Sequence, residues 1–187
     1  MPVRPIRKTS DPVLHTPAAD VTEITAEIDE LVQDMFETMD LAPGVGLAAP
    51  QIGVGLNIFV YDYEFEGERL RGVAINPKLE ISAVTQEAPD EDTEIEGCLS
   101  VPGERFPLKR ADWARLQASD LDGSEYQLEV TGWMARIFQH EFDHLQGTLY
   151  VDRLAEPYRA ESQEVIEEQG WGVPGLAWMP GEDYSEP

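Results

Sequence analysis

Cysteine is almost missing: Cys98 is the only one in 187 residues, so no internal disulfide can form and the fold must rest on a packed core. Histidine occurs only at 15, 140 and 144. Basic residues are scarce as well, with 13 Lys and Arg against 37 Asp and Glu, and the lysines are only Lys8, Lys78 and Lys109. The formal charge of −24 repels nucleic acid and anionic membrane surfaces and favours solubility. A salty habitat would select the same acidity. No apolar run approaches the length of about 20 residues that spans a bilayer, and Met1-Pro2-Val3-Arg4-Pro5-Ile6-Arg7 lacks the apolar segment of a secretory leader. These absences predict a soluble cytoplasmic protein that binds neither nucleic acid nor membrane.

What is present suffices for a core: 42% hydrophobic residues, four of them Trp. No repeat or linker divides the chain, which predicts one domain over residues 1–169 and an irregular tail over 170–187 packed on it, with 181–187 mobile. Residues 1–20, punctuated by Pro2, Pro5, Pro12 and Pro17, read as an extended arm. Asp20 and Glu23 have capping-box spacing, and Ile24, Ile28, Leu31, Met35 and Met39 then repeat at helical intervals up to Pro43-Gly44. Strand-like runs occupy 56–61, 72–75, 79–85, 114–118 and 126–130, with Asp122-Gly123 as a hairpin turn between the last two. The acid-rich stretch 87–96 reads as a solvated loop. Residues 133–145 form an apolar-rich helix that should be largely buried, stopped by Gly147. Residues 157–169 form a polar, acidic helix.

The chemistry concentrates in Gln139-His140-Glu141-Phe142-Asp143-His144. On a helix, His140 and His144 share one face one turn apart and can reach one ion, with Glu141 beside them to handle a proton of water. The pattern also arises by chance, and buried histidines can be satisfied by hydrogen bonds instead. Two imidazoles make an incomplete site, because a catalytic metal wants three protein ligands and an open position. Cys98, between Gly97 and Leu99, supplies a third, although a lone cysteine is commonly a small buried hydrophobe. Gly44-Val45-Gly46-Leu47-Ala48-Ala49-Pro50-Gln51 lacks the third glycine of a dinucleotide loop and follows a helix. It reads as a tight turn whose backbone can approach a ligand or a helix, and Gln51 offers an amide there.

That stretch, Glu96-Gly97-Cys98-Leu99-Ser100 and the His-Glu-x-x-His helix together resemble the three signature motifs of the peptide deformylase family, in its order and at about its spacing. The resemblance covers roughly residues 1–165. It implies an α+β fold, with mixed and antiparallel β-sheets wrapped around the helix that carries both histidines. It also implies a metal-dependent hydrolase that removes formate from N-formyl-methionyl nascent polypeptides. The implied ligands are Cys98, His140 and His144, holding Fe²⁺ in the cell, with Zn²⁺, Ni²⁺ or Co²⁺ able to take its place. Glu141 would be the acid/base, and Gln51 and the Leu99 N–H would hold the formyl oxygen. By the same resemblance Glu96 and Arg110 pair to brace the Cys98 segment. Val45 and Ile137 would wall the methionine pocket, Trp133 and Arg136 would edge it, and the backbone from Gly44 through Leu47 would pair with the peptide in strand fashion, the alternative being that these side chains are ordinary core. Some members carry a basic C-terminal helix suited to ribosomal RNA. The acidic helix here leaves only transient proximity to the ribosome.

Two rivals remain. A zinc metallopeptidase would use the same helix, but no histidine follows His144 and Cys98 would have no task. A binding module with a degenerate site would be expected to lose Glu141 or Gln51, and both are present.

Overall fold

A computed structural model describes residues 2–182. The proline-spaced arm contains β1 (Ile6–Arg7), and α1 (Ala26–Leu41) follows with Val32, Met35 and Met39 buried on the face set by the helical repeat. The helix starts later than the Asp20/Glu23 spacing predicts, with Thr25 as its N-cap. The Val21 N–H donates to Asn76 Oδ1 and the Val21 carbonyl accepts from Asn76 Nδ2, both at 2.8 Å. Asp20 accepts from Asn57. These long-range bonds hold residues 20–21 outside the helix and outweigh the local capping signal.

The glycine-alanine stretch is a short strand, β2 (Gly46–Ala48), running into a 3₁₀ turn at Ala49–Ile52 rather than one tight turn. β3 (Ile58–Phe65) pairs with β4 (Glu68–Ile81). Sequence reasoning split β4 into two strands at 72–75 and 79–85. The chain instead forms one strand, ending at Ile81, whose register shifts between Ile75 and Lys78. The shift falls at Asn76-Pro77, where Asn76 has φ 50° and proline has no N–H for the ladder.

The acidic segment does not remain a solvated loop to its end. It enters β5 (Ile95–Cys98), which hairpins with β6 (Val101–Pro107) and buries Glu96. β7 (Trp113–Ser119) and β8 (Glu125–Thr131) form the hairpin that Asp122-Gly123 marks.

The five-stranded sheet has the order β2-β3-β4-β7-β8, and every ladder among the described residues is antiparallel. The parallel component is one isolated bridge, Ala19 to Leu56. α2 (Gly132–Leu145) lies on this sheet. Its Met134, Ala135 and Phe138 pack on Phe59, Tyr61, Ala114 and Leu116, so the fold is α+β around a buried, histidine-bearing helix. α3 (Tyr158–Glu168) is acidic.

The tail is less irregular than its Gly/Pro content implies. β9 (Ala177–Trp178) pairs antiparallel with β1, and Trp171 and Trp178 are both buried. Residues 183–187, within the stretch read as mobile, lie outside the described residues. No helix among the described residues is long and apolar enough to cross a membrane.

Candidate metal centre

One turn of α2 stacks His140 and His144 so that their Nε2 atoms lie 3.2 Å apart. Cys98 ends β5, where the register shifts after Gly97, and its Sγ sits 3.3 Å from His144 Nε2. All three donor atoms lie within 4.8 Å of one another. A tetrahedral ion with ligand bonds of about 2.0–2.3 Å sets its ligand atoms roughly 3.3–3.6 Å apart. The donor types and spacing therefore fit one divalent ion of the zinc or iron class. His15 is elsewhere, bonded to the Thr9 carbonyl.

Surrounding charges turn these donors inward. Glu96 is buried, and as an acceptor-only carboxylate 2.7 Å from His140 Nδ1 it places the ring proton there, leaving Nε2 free to face the centre. Arg110 donates to Glu96 at 3.1 and 2.6 Å and to Asp143 at 2.6 Å, and Arg153 also donates to Asp143. Burial opposes the Glu96 charge, but Arg110 and His140 outweigh it and hold the carboxyl well below the usual range. Burial and the neighbouring His140 keep His144 neutral. In His140, burial is outweighed by Cys98 and Glu96, which push the imidazole pKa well above its ordinary value.

Glu141 follows His140, and its Oε2 is buried without a hydrogen-bond partner. Burial pushes its carboxyl up to about 7. Its side chain lies against Gly46, where a Cβ would come within 2.4 Å of Oε1. This is the close approach for which β2 needs glycine. Gln51 is oriented from behind. Its Oε1 accepts the Ala48 N–H at 2.9 Å, which turns Nε2 toward Cys98 Sγ at 3.7 Å and Ser100 Oγ at 3.4 Å.

A cavity of about 560 Å³ opens over these groups. Gly44, Val45 and Gly46 line it together with Trp133, Arg136 and Ile137 of α2. Gln51, Cys98, Leu99, His140 and Glu141 line it too. Val45 and Trp133 are exposed at its rim, whereas Ile137 is buried. Arg136 is a brace as well as a wall, donating to Glu96 and to the Leu108 carbonyl.

Sequence reasoning missed three features. Asp143 and Arg153 extend the Glu96–Arg110 network, Gly46 abuts Glu141, and Trp178 reaches the cavity from the tail. Arg110 was expected to pair with Glu96, but nothing local marked Arg153 or linked Arg110 to Asp143.

Comparison with known proteins agrees with this geometry. The family described as polypeptide deformylase matches residues 3–160. A peptide deformylase of Mycolicibacterium paratuberculosis is 51% identical over 190 residues, covering 97% of this chain and 96% of that protein. The crystal structure of peptide deformylase from Thermus thermophilus superposes with a TM-score of 0.77 at 40% identity, covering 89% of this chain and 95% of that one. That of Ehrlichia chaffeensis, solved in complex with actinonin, gives 0.76 at 36% identity, covering 90% and 98%. With a family match over most of its length and relatives this similar, the chain belongs to the polypeptide deformylase family, enzymes that remove formyl groups from nascent peptides.

Proposed function

We propose that Cys98, His140 and His144 hold one divalent ion, Fe²⁺ in the cell, while Glu141 moves the protons of N-formyl-methionine hydrolysis. When bound, the ion makes water nucleophilic near neutral pH and polarises the formyl carbonyl. Zn²⁺, Ni²⁺ or Co²⁺ suit the same donors. The observation that carries the reading is the convergence of the Cys98, His140 and His144 donors on a cavity that Glu141, its Oε2 buried without a partner, also lines.

Glu141 takes a proton from water as the water oxygen bonds to the formyl carbon. It returns a proton to the amine nitrogen as the C–N bond breaks, which yields formate and a free N-terminus. Charge grows on the formyl oxygen in between. The Gln51 Nε2 donor and the Leu99 N–H receive it, the former already aimed by Ala48. Glu96 and Arg110 keep the donors oriented.

Val45 and Ile137 form the apolar walls for the methionine side chain, with Trp133 and Arg136 at the edge. β2 is the edge strand of its sheet, so the backbone from Gly44 through Gly46 can receive the peptide in strand fashion. The substrates are N-formyl-methionyl nascent polypeptides in the cytoplasm. α3 carries one Arg against four Glu, so proximity to the ribosome is transient and does not run through a basic helix.

Anaerobically purified protein should contain about one divalent metal per chain and release formate from a short formyl-Met peptide. Cys98→Ala should lose both, and a fully active Cys98→Ala variant would overturn the ligand assignment.

A further inference from the structure

The C-terminal tail reaches the centre through a hydrogen bond from Trp178. Trp178 Nε1 donates to the Leu99 carbonyl oxygen at 2.8 Å. That carbonyl belongs to the same planar peptide unit as the Ser100 N–H, which points at Cys98 Sγ from 3.4 Å. One rigid amide therefore joins the indole at its carbonyl end to the sulfur at its N–H end. The Leu99 N–H lies on the preceding unit and meets this amide at the Leu99 Cα, so fixing the amide restrains the residue that carries both groups.

Trp178 is well placed to prevent that rotation. It is 5% exposed, paired through β9 to Ile6 of β1, and packed with Leu47, Ala49 and Ile52 against Leu99. It also lines the cavity. A donor on the carbonyl polarises the amide and strengthens its N–H as a donor to sulfur. Trp171, seven residues earlier in the same tail, is buried with Leu14, Phe106, Leu149 and Tyr150 in a cluster against which Cys98 packs, so it tests packing near the sulfur without the indole hydrogen bond to Leu99.

We propose that Trp178 is a positioning residue for deformylation, holding the Leu99–Ser100 peptide so that its N–H faces the Cys98 sulfur and the Leu99 N–H faces the formyl oxygen. The inference rests on the roles proposed above for Cys98 and Leu99. It predicts that the C-terminal segment tunes the centre rather than only covering the core.

Full-length Trp178→Phe keeps an aromatic ring and removes the donor. Its kcat on a formyl-Met peptide should fall about tenfold or more with KM changed less than about threefold. Its affinity for Co²⁺, measured by chelator competition, should fall about tenfold, the lower end for a group that orients a ligand. The sulfur-to-Co²⁺ charge-transfer band should also move. Trp171→Phe should keep kcat, Co²⁺ affinity and the band close to those of the unaltered protein.

A Trp178→Phe protein with kcat and Co²⁺ affinity within twofold of the parent would overturn the proposal, as would equal losses in Trp171→Phe. If Trp178→Phe does not fold, replacing Trp178 by β-(3-benzothienyl)alanine keeps the shape, swaps N–H for sulfur, and is read by the same measurements. Cys98→Ala separates the two levels. If that variant keeps Co²⁺ and activity, the site reading itself fails; if it loses both while the Trp178 variants match the parent, only this inference fails.

Discussion

Two arginines make the same contact in different surroundings, and Arg110→Met against Arg69→Met measures what burial adds. Arg110 has a side chain 6% exposed and places three hydrogen bonds on Glu96 and Asp143, at 3.1, 2.6 and 2.6 Å. Three charge-assisted bonds at about 1.5–3 kcal/mol each would suggest a larger loss than is expected. Both carboxylates keep other partners, Glu96 through His140 and Arg136, and Asp143 through Arg153. The appropriate figure is that for breaking one partner of a buried pair, about 3–5 kcal/mol. For a chain of this size, about 2–4 °C of Tm per kcal/mol converts this to a fall of roughly 6–20 °C. Arg69 pairs with Asp62 through two equally short bonds, 2.6 and 2.5 Å, but its side chain is 71% exposed. Asp62 keeps Arg71 when Arg69 is lost, and the exposed guanidinium gives up a largely solvated contact, so Tm should move by no more than about a degree. Thermal unfolding followed by circular dichroism, with urea titration as a check, reads both. Equal shifts in the two variants, or a loss below about 1 kcal/mol for Arg110→Met, would refute the view that the Glu96–Arg110–Asp143 network owes its contribution to desolvation.

Three further outcomes can be measured by formate release. Gly46→Ala puts a Cβ where Glu141 Oε1 lies, forcing the carboxylate aside; a displacement near 1 Å should lower kcat about 10²-fold, while circular dichroism shows the fold retained. Gln51→Leu removes the Nε2 donor and should lower kcat about 10²–10³-fold with bound metal unchanged by elemental analysis. Glu141→Gln should bind metal as the parent does and lose about 10²–10⁴-fold in kcat; normal turnover would remove Glu141 from the mechanism.

Periodicity and local chemistry carried much of the fold. The repeat through Ile28, Leu31, Met35 and Met39 gives α1 its buried face, and Asp122-Gly123 marks the β7–β8 turn. Both signals are contained within one helix or one hairpin. The start of α1 and the unity of β4 were not legible, because Asn76 decides both. It bonds to Val21, 55 residues away, and bends the strand beside Pro77. The burial of Glu96 was hidden by its acidic neighbours, since composition describes the segment as solvated and only the family resemblance marked Arg110 as its partner.

At the centre the same division holds. The sequence by itself determined that His140 and His144 share a helix face with Glu141 beside them, because four residues of helix is one turn whatever surrounds it. It also offered Cys98 as the only thiol. Only the tertiary structure decided that Cys98 Sγ meets His144 Nε2 at 3.3 Å, that Glu96 turns His140 inward, and that Gly46 makes room for Glu141. Trp178 reaching Leu99 across 79 residues belongs with these. Each depends on two distant elements approaching within a hydrogen-bond length, a distance fixed by packing of the whole core and carried by no local pattern.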